Sequence, residues 1–170
     1  HIPSPLMPQI CQEKAHAYEE LLRRQVLNIV VPGFHSFFRD IVDAGIPIAL
    51  ATSSPKREAD FVLRSLGILE NFDAIVDISQ VQNSKPHPEA YLTAAQAIGF
   101  APDSCVGFED SLIGVAAINA ANMKCAVVGT TLTTERLDRA NLKYDLYVSD
   151  FRSVSLGELS LLFSLSKGGS

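Results

Sequence analysis

With 170 residues, 47% of them hydrophobic and 19% charged, the chain is long enough for one domain with a sizeable core and too apolar to be disordered. A net charge of −5, from 14 basic and 19 acidic residues, gives no support to nucleic-acid binding. No apolar run approaches the roughly 20 residues of a membrane span, which argues against a membrane partner. Three cysteines (Cys11, Cys105, Cys125) form no metal-ligand spacing. Cys105 and Cys125 lie in apolar, strand-like runs and read as buried thiols in a reducing compartment. No signal peptide is visible, so a cytoplasmic or organellar stromal location is expected. The chain opens on His1 rather than Met, as a processed product, a fragment or a truncated chain would.

In chain order, residues 1–8 carry Pro3, Pro5 and Pro8 and read as an extended lead-in. Gln9 to about Asn28 has helical spacing, with Tyr18, Leu21, Leu22 and Val26 on one stripe. A second helix is predicted over Phe34–Ala44, with Phe34, Phe37, Phe38 and Ile41 inward and Gly45 as its stop. Ile46–Thr52 is a continuous apolar run of the kind found in a parallel strand buried on both faces. Pro55 opens a helix that runs to about Leu66, before Gly67. Asp73–Asp77 is a short strand, and Ile78–Pro88 a polar loop. Glu89–Ile98 is a helix closed by Gly99. Cys105–Phe108 and Met123–Val128 are buried strands flanking a small-residue helix over about Ser111–Ala121. A loop with a short helix covers 130–141; a strand over Leu146–Val148 and a helix over Leu156–Phe163 follow, and 167–170 is a disordered tail. This alternation predicts an α/β, doubly wound, mostly parallel sheet with helices on both faces.

Three stretches at strand ends carry candidate chemistry. Thr52, Ser53 and Ser54 place hydroxyls and free backbone N–H groups before a helix N-terminus, which suits an anion but equally suits ordinary helix capping. Lys85, between Ser84 and Pro86, is stiffly placed and could neutralise a phosphate; it could also be a surface lysine at a helix start. Glu109 and Asp110 are adjacent carboxylates at a strand's carboxyl end. They repel, and a hard cation such as Mg²⁺ offsets that; alternatively Asp110 or Ser111 caps the next helix and Glu109 is solvated. His1, His16, His35 and His87 have no spacing that joins them into a ligand set. A nucleotide-binding Rossmann module is disfavoured, since no Gly-x-Gly-x-x-Gly follows any strand. Anion-binding hydroxyls, a cation and an acidic pair are together the parts that phosphoryl transfer needs.

In that order, the three stretches resemble the second, third and fourth motifs of the haloacid dehalogenase (HAD) superfamily, closest to its β-phosphoglucomutase-like and phosphoglycolate-phosphatase-like branch. Ala51-Thr-Ser-Ser54 resembles the second motif, Ser84-Lys-Pro86 the third and Gly107-Phe-Glu-Asp-Ser111 the fourth. The resemblance spans about residues 30–165. It implies a HAD-like Rossmannoid core over 29–166, with residues 1–28 as the remnant of a helical cap and linker. It also implies Thr52 and Lys85 on a transferring phosphoryl group, Ser53 and Ser54 as supporting donors, and Glu109 and Asp110 on or next to Mg²⁺. Lys56, near the phosphate loop, is a weaker candidate.

The resemblance also implies an Asp-x-Asp motif, nucleophile and general acid/base, at the end of a first core strand. No Asp-x-Asp occurs in the 170 residues; Asp40, Asp43 and Asp60 fall in predicted helices. The chain therefore reads as an incomplete enzyme without its first core strand and most of its cap. Without that strand its neighbours must close up or borrow a strand from another chain. The expected activity is Mg²⁺-dependent phosphoryl transfer, as phosphatase or mutase, on a sugar phosphate or phosphoglycolate-like metabolite. The alternative is a catalytically silent phosphate-binding or regulatory protein.

Overall fold

The computed structural model describes residues 30–164; the expected cap helix and the 167–170 tail lie outside the described residues. Gly33, at φ +82°, starts helix α1 (Phe34–Asp43). A Cβ there would meet the Phe151 carbonyl carbon at 2.6 Å, so only glycine fits. Strand β1 (Ala49–Ala51) leads to α2 (Lys56–Ser65) and then β2 (Ala74–Val76). The polar loop contains a short 3₁₀ turn over Ile78–Gln80 and ends at α3 (Glu89–Ala97). Then come β3 (Val106–Glu109), α4 (Leu112–Ala120), β4 (Lys124–Val128), α5 (Thr134–Arg139), β5 (Leu146–Val148) and α6 (Leu156–Ser164).

All strand pairs are parallel, and successive residues face opposite helical layers. Ala49 and Ala51 pack with Ala90 and Ala94 of α3, whereas Leu50 packs with Phe38 of α1 and Leu63 of α2. Cys125 and Val127 face Val115 and Ile118 of α4; Val128 and Val148 face Phe37 of α1 and Leu159 of α6. Gly107 is required by this packing, since a Cβ would meet Ile118 Cδ1 at 2.6 Å. The α/β, doubly wound, parallel architecture is as expected.

The sheet, however, is divided. β1 pairs with β2, and β3–β4–β5 form a separate sheet; among the described residues, nothing pairs with the facing edges of β1 and β3. The two halves have not closed up. Between them runs an apolar slot of about 580 Å³, lined among others by Leu50, Ala51, Gly107, Phe108, Phe37 and Ala94. An aromatic layer bridges the halves beneath it: Phe37 stacks on Phe151 at 5.3 Å and meets Phe108 at 5.5 Å, while Phe38 meets Phe72 at 5.5 Å. Ile46 and Phe100, also on the slot's lining, remain 46% and 47% exposed.

The slot accounts for two departures from expectation. The Ile46–Thr52 run was expected to be buried on both faces, yet β1 is only half-buried and forms a ladder over three residues. Among the described residues it has one neighbour, β2, and so neither the second ladder nor the cover a second strand would give. Cys105, expected to be buried, lines the slot and is half-buried; Cys125 is buried as expected.

Candidate phosphoryl-transfer site

β1 ends at Ala51, and the chain turns through Thr52, Ser53 and Ser54 into α2. Thr52 Oγ1 accepts a hydrogen bond from the Ser54 backbone N–H at 3.0 Å, which shapes the turn and leaves the Thr52 hydroxyl proton available. Ser53 is exposed. Lys56 does not join them: its Nζ pairs with Asp60 at 2.7 Å along α2, with the side chain 61% exposed.

Lys85 is the centre of the arrangement. Its Nζ donates to Ala51 O at 3.2 Å, to Tyr91 Oη at 3.0 Å and to Glu109 Oε1 at 2.6 Å. It thus spans from the end of β1 to the end of β3, across the slot, and draws the three sequence stretches together. The Lys85 and Glu109 side chains are only 8% and 10% exposed, a buried ion pair. The loop carrying Lys85 is anchored through Glu89, whose carboxylate accepts from the Gln82 and Asn83 backbone N–H groups at 2.7 and 2.9 Å. His87 is exposed and takes part only in local loop contacts.

Glu109 has its acceptor capacity filled by protein. Oε1 takes Lys85 and Tyr91, each at 2.6 Å. Oε2 takes the Asp110 N–H at 3.1 Å, the Ser111 N–H at 3.3 Å and the Ser111 hydroxyl at 3.0 Å. Burial pushes its carboxyl up, but the Lys85 charge and the hydrogen bonds from Lys85, Tyr91 and Ser111 outweigh that and hold it below its ordinary value. Ser111 in turn caps α4, accepting from the Gly114 N–H at 3.1 Å. Gly114 carries no side chain because the Glu109 carboxylate occupies the space where a Cβ would stand.

Asp110 is exposed, and its surroundings differ. Oδ2 accepts from the Thr130 hydroxyl at 3.3 Å, and its backbone carbonyl accepts from the Thr131 hydroxyl at 3.0 Å. Among the described residues no three His, Cys, Asp or Glu side chains cluster as a metal site. Mg²⁺ fits a thinner protein set, since it takes one or two carboxylates and completes its shell with water and substrate phosphate. Asp110 offers such a carboxylate. Asp77, buried at the end of β2, is excluded: it caps the 3₁₀ turn, accepting from the Ser79 N–H at 2.8 Å, and hydrogen bonding from the Ser79 side chain, then from its backbone, holds its carboxyl below the ordinary value.

Tyr91 is the site residue that sequence reasoning missed. An aromatic in the first turn of a helix reads as core, and its ring does pack with Val115 and Ile118. Its hydroxyl partners, Lys85 and Glu109, lie six residues before it and 18 residues after it, with no helix-spaced signal.

The family model of the haloacid dehalogenase-like hydrolases matches residues 9–122, more than half of the chain. The chain belongs to that family. Within these hydrolases it is 33% identical to the beta-phosphoglucomutase of Bacillus subtilis over 121 residues, 71% of this chain and 53% of that one. It is 36% identical to a phosphorylated carbohydrates phosphatase of Thermotoga maritima over 116 residues, 68% of this chain and 51% of that one. It superposes on the crystal structure of beta-phosphoglucomutase from Clostridium difficile with a TM-score of 0.82 and 30% identity, over 96% of this chain and 70% of that one. This HAD chain therefore sits in the β-phosphoglucomutase-like branch and spans about half the length of the curated relatives it matches.

Proposed function

We propose that the chain forms the phosphate- and metal-binding part of a Mg²⁺-dependent phosphoryl-transfer site acting on a small phosphorylated metabolite. A sugar phosphate or phosphoglycolate-like compound is the substrate class, and the enzyme is a phosphatase or a sugar-phosphate mutase. The observation that carries this reading is the position of Lys85 Nζ, bonded at once to the end of β1 and to Glu109. Relatives that are named as a phosphoglucomutase and a carbohydrate phosphatase support the substrate class.

In this reading the Thr52 hydroxyl and the N–H groups at the start of α2 receive phosphoryl oxygens, with Ser53 and Ser54 as supporting donors. Lys85 neutralises phosphoryl charge as a point cation. Asp110 would hold Mg²⁺, with Glu109 behind it fixing Lys85 and the first turn of α4. When bound, the cation supplies charge neutralisation on the phosphoryl oxygens. The attacking carboxylate comes from an extended strand that occupies the slot, parallel to β1 and β3, with an aspartate at its carboxyl end. That strand can be joined to this polypeptide or donated by another chain. Residues 1–28 belong, in the same reading, to a helical cap and linker, with the core over 29–166.

A second reading, a silent phosphate-binding or regulatory protein, is favoured by one observation: Glu109, the carboxylate that touches Lys85, is already saturated. The deciding experiment joins the chain to a strand carrying Asp-x-Asp. Asp110→Asn in that protein should lower both Mg²⁺ affinity and turnover; unchanged turnover sinks the assignment.

A further inference from the structure

Tyr91 stands at one corner of a triangle with Lys85 and Glu109, whose sides are 3.0, 2.6 and 2.6 Å. Its ring is held by the core, so the corner is rigid. The distances give the hydroxyl two roles: it donates to Glu109 Oε1 and accepts from Lys85 Nζ. The Lys85 ammonium also lies 4.4 Å from the Tyr91 ring centroid, within cation–π range. All three ammonium protons then have directions: Ala51 O, Tyr91 Oη and Glu109 Oε1. A lysine on a flexible four-carbon stem gains a fixed location only from such partners.

We infer that Tyr91 is a positioning residue for Lys85, its hydroxyl fixing the ammonium between the ends of β1 and β3. The inference rests on the phosphate reading above only for its consequence, not for its geometry. It differs from the bland account, in which Tyr91 is a core aromatic whose hydroxyl happens to be satisfied. A core aromatic is served as well by phenylalanine.

The test uses the full 170-residue chain and two readouts. The first is the ¹H–¹⁵N correlation signal of the Lys85 ammonium, assigned by its loss in Lys85→Met. Such a signal is seen only when the ammonium protons are held and shielded from exchange. The second is the dissociation constant for inorganic phosphate. Tyr91→Phe should abolish the ammonium signal while the backbone spectrum remains folded, and should weaken phosphate binding about tenfold, the effect of one hydrogen bond to a charged group. 3-Fluorotyrosine at position 91 keeps the hydroxyl oxygen that accepts from Lys85 and should retain the signal; 4-methylphenylalanine fills the same volume without an acceptor and should not. Those two variants decide the matter if the phenylalanine variant fails to fold. A Lys85 signal that survives in Tyr91→Phe or in the methyl variant overturns the inference. So does phosphate affinity unchanged by Tyr91→Phe, or a wild-type chain with no Lys85 signal. Wild type that binds no phosphate contradicts the phosphate reading instead, and the ammonium signal alone then decides the role of Tyr91.

Discussion

Replacing Lys85 with methionine removes a charge but keeps the aliphatic stem. Glu109 is left 10% exposed at its side chain and without its cation. Breaking a buried ion pair from one side costs about 3–5 kcal/mol. Glu109 keeps the Tyr91 hydroxyl, the Ser111 hydroxyl and two backbone N–H groups, which favours the lower end, about 3 kcal/mol. With urea slopes of about 1–3 kcal/mol per molar, the unfolding midpoint should fall by roughly 1–3 M. The pH dependence has a definite sign. The folded pKa of Glu109 is held below its ordinary 4.5, so its contribution is fully present above pH 4.5 and is lost as pH falls through the folded value. Lys85→Met removes that contribution, so its deficit against wild type should be full at pH 7 and shrink below pH 4.5. Glu109→Gln in the same chain removes the orphaned charge, and the double variant should be more stable at pH 7 than Lys85→Met alone. Urea melts followed by far-ultraviolet circular dichroism at pH 7 and pH 4 decide it. A deficit under about 1 kcal/mol, the range of a surface pair, would refute the reasoning, as would one that stays constant with pH.

Gly114→Ala should destabilise the chain by about 1–3 kcal/mol, because the new Cβ displaces the Glu109 carboxylate. Helix propensity alone predicts stabilisation of about 1 kcal/mol, so the sign of the thermal shift settles which effect dominates. Cys125 should resist alkylation in the folded chain at pH 8: burial, followed by the charges of Asp145 and Glu109, pushes its thiol up to about 12. Rapid labelling at Cys125 would mean that the β4 core opens readily.

Much of the fold was legible because its signals are local. Gly45, Gly67 and Gly99 stop helices with φ between +64° and +79°, the left-handed conformation that glycine accepts most readily. Apolar runs of strand length alternating with helical patterns gave the layer order. Thr52, Lys85 and Asp110 were legible as candidates because each stands at a strand end or in an adjoining loop. Lys56 was a poor candidate for a reason visible in the sequence, an aspartate four residues on at Asp60. The fate of Glu109 was not legible. Its partners come from Lys85, Tyr91 and Ser111, and only folding brings the first two to it. The depth of β1 was misread for a physical reason. Hydrophobicity states what a strand can bury, not whether a neighbour is present to bury it, and here one edge opens on the slot.

The most direct test of the central claim is turnover of a generic aryl phosphate with Mg²⁺, measured on the 170-residue chain and on the same chain joined to a parallel strand that ends in Asp-x-Asp. The account predicts turnover only in the completed protein, where a carboxylate enters the slot opposite Lys85. Turnover by the 170-residue chain itself, abolished by a substitution elsewhere in it, would contradict that: another of its own carboxylates would then be the nucleophile, and no aspartate on an added strand would be needed.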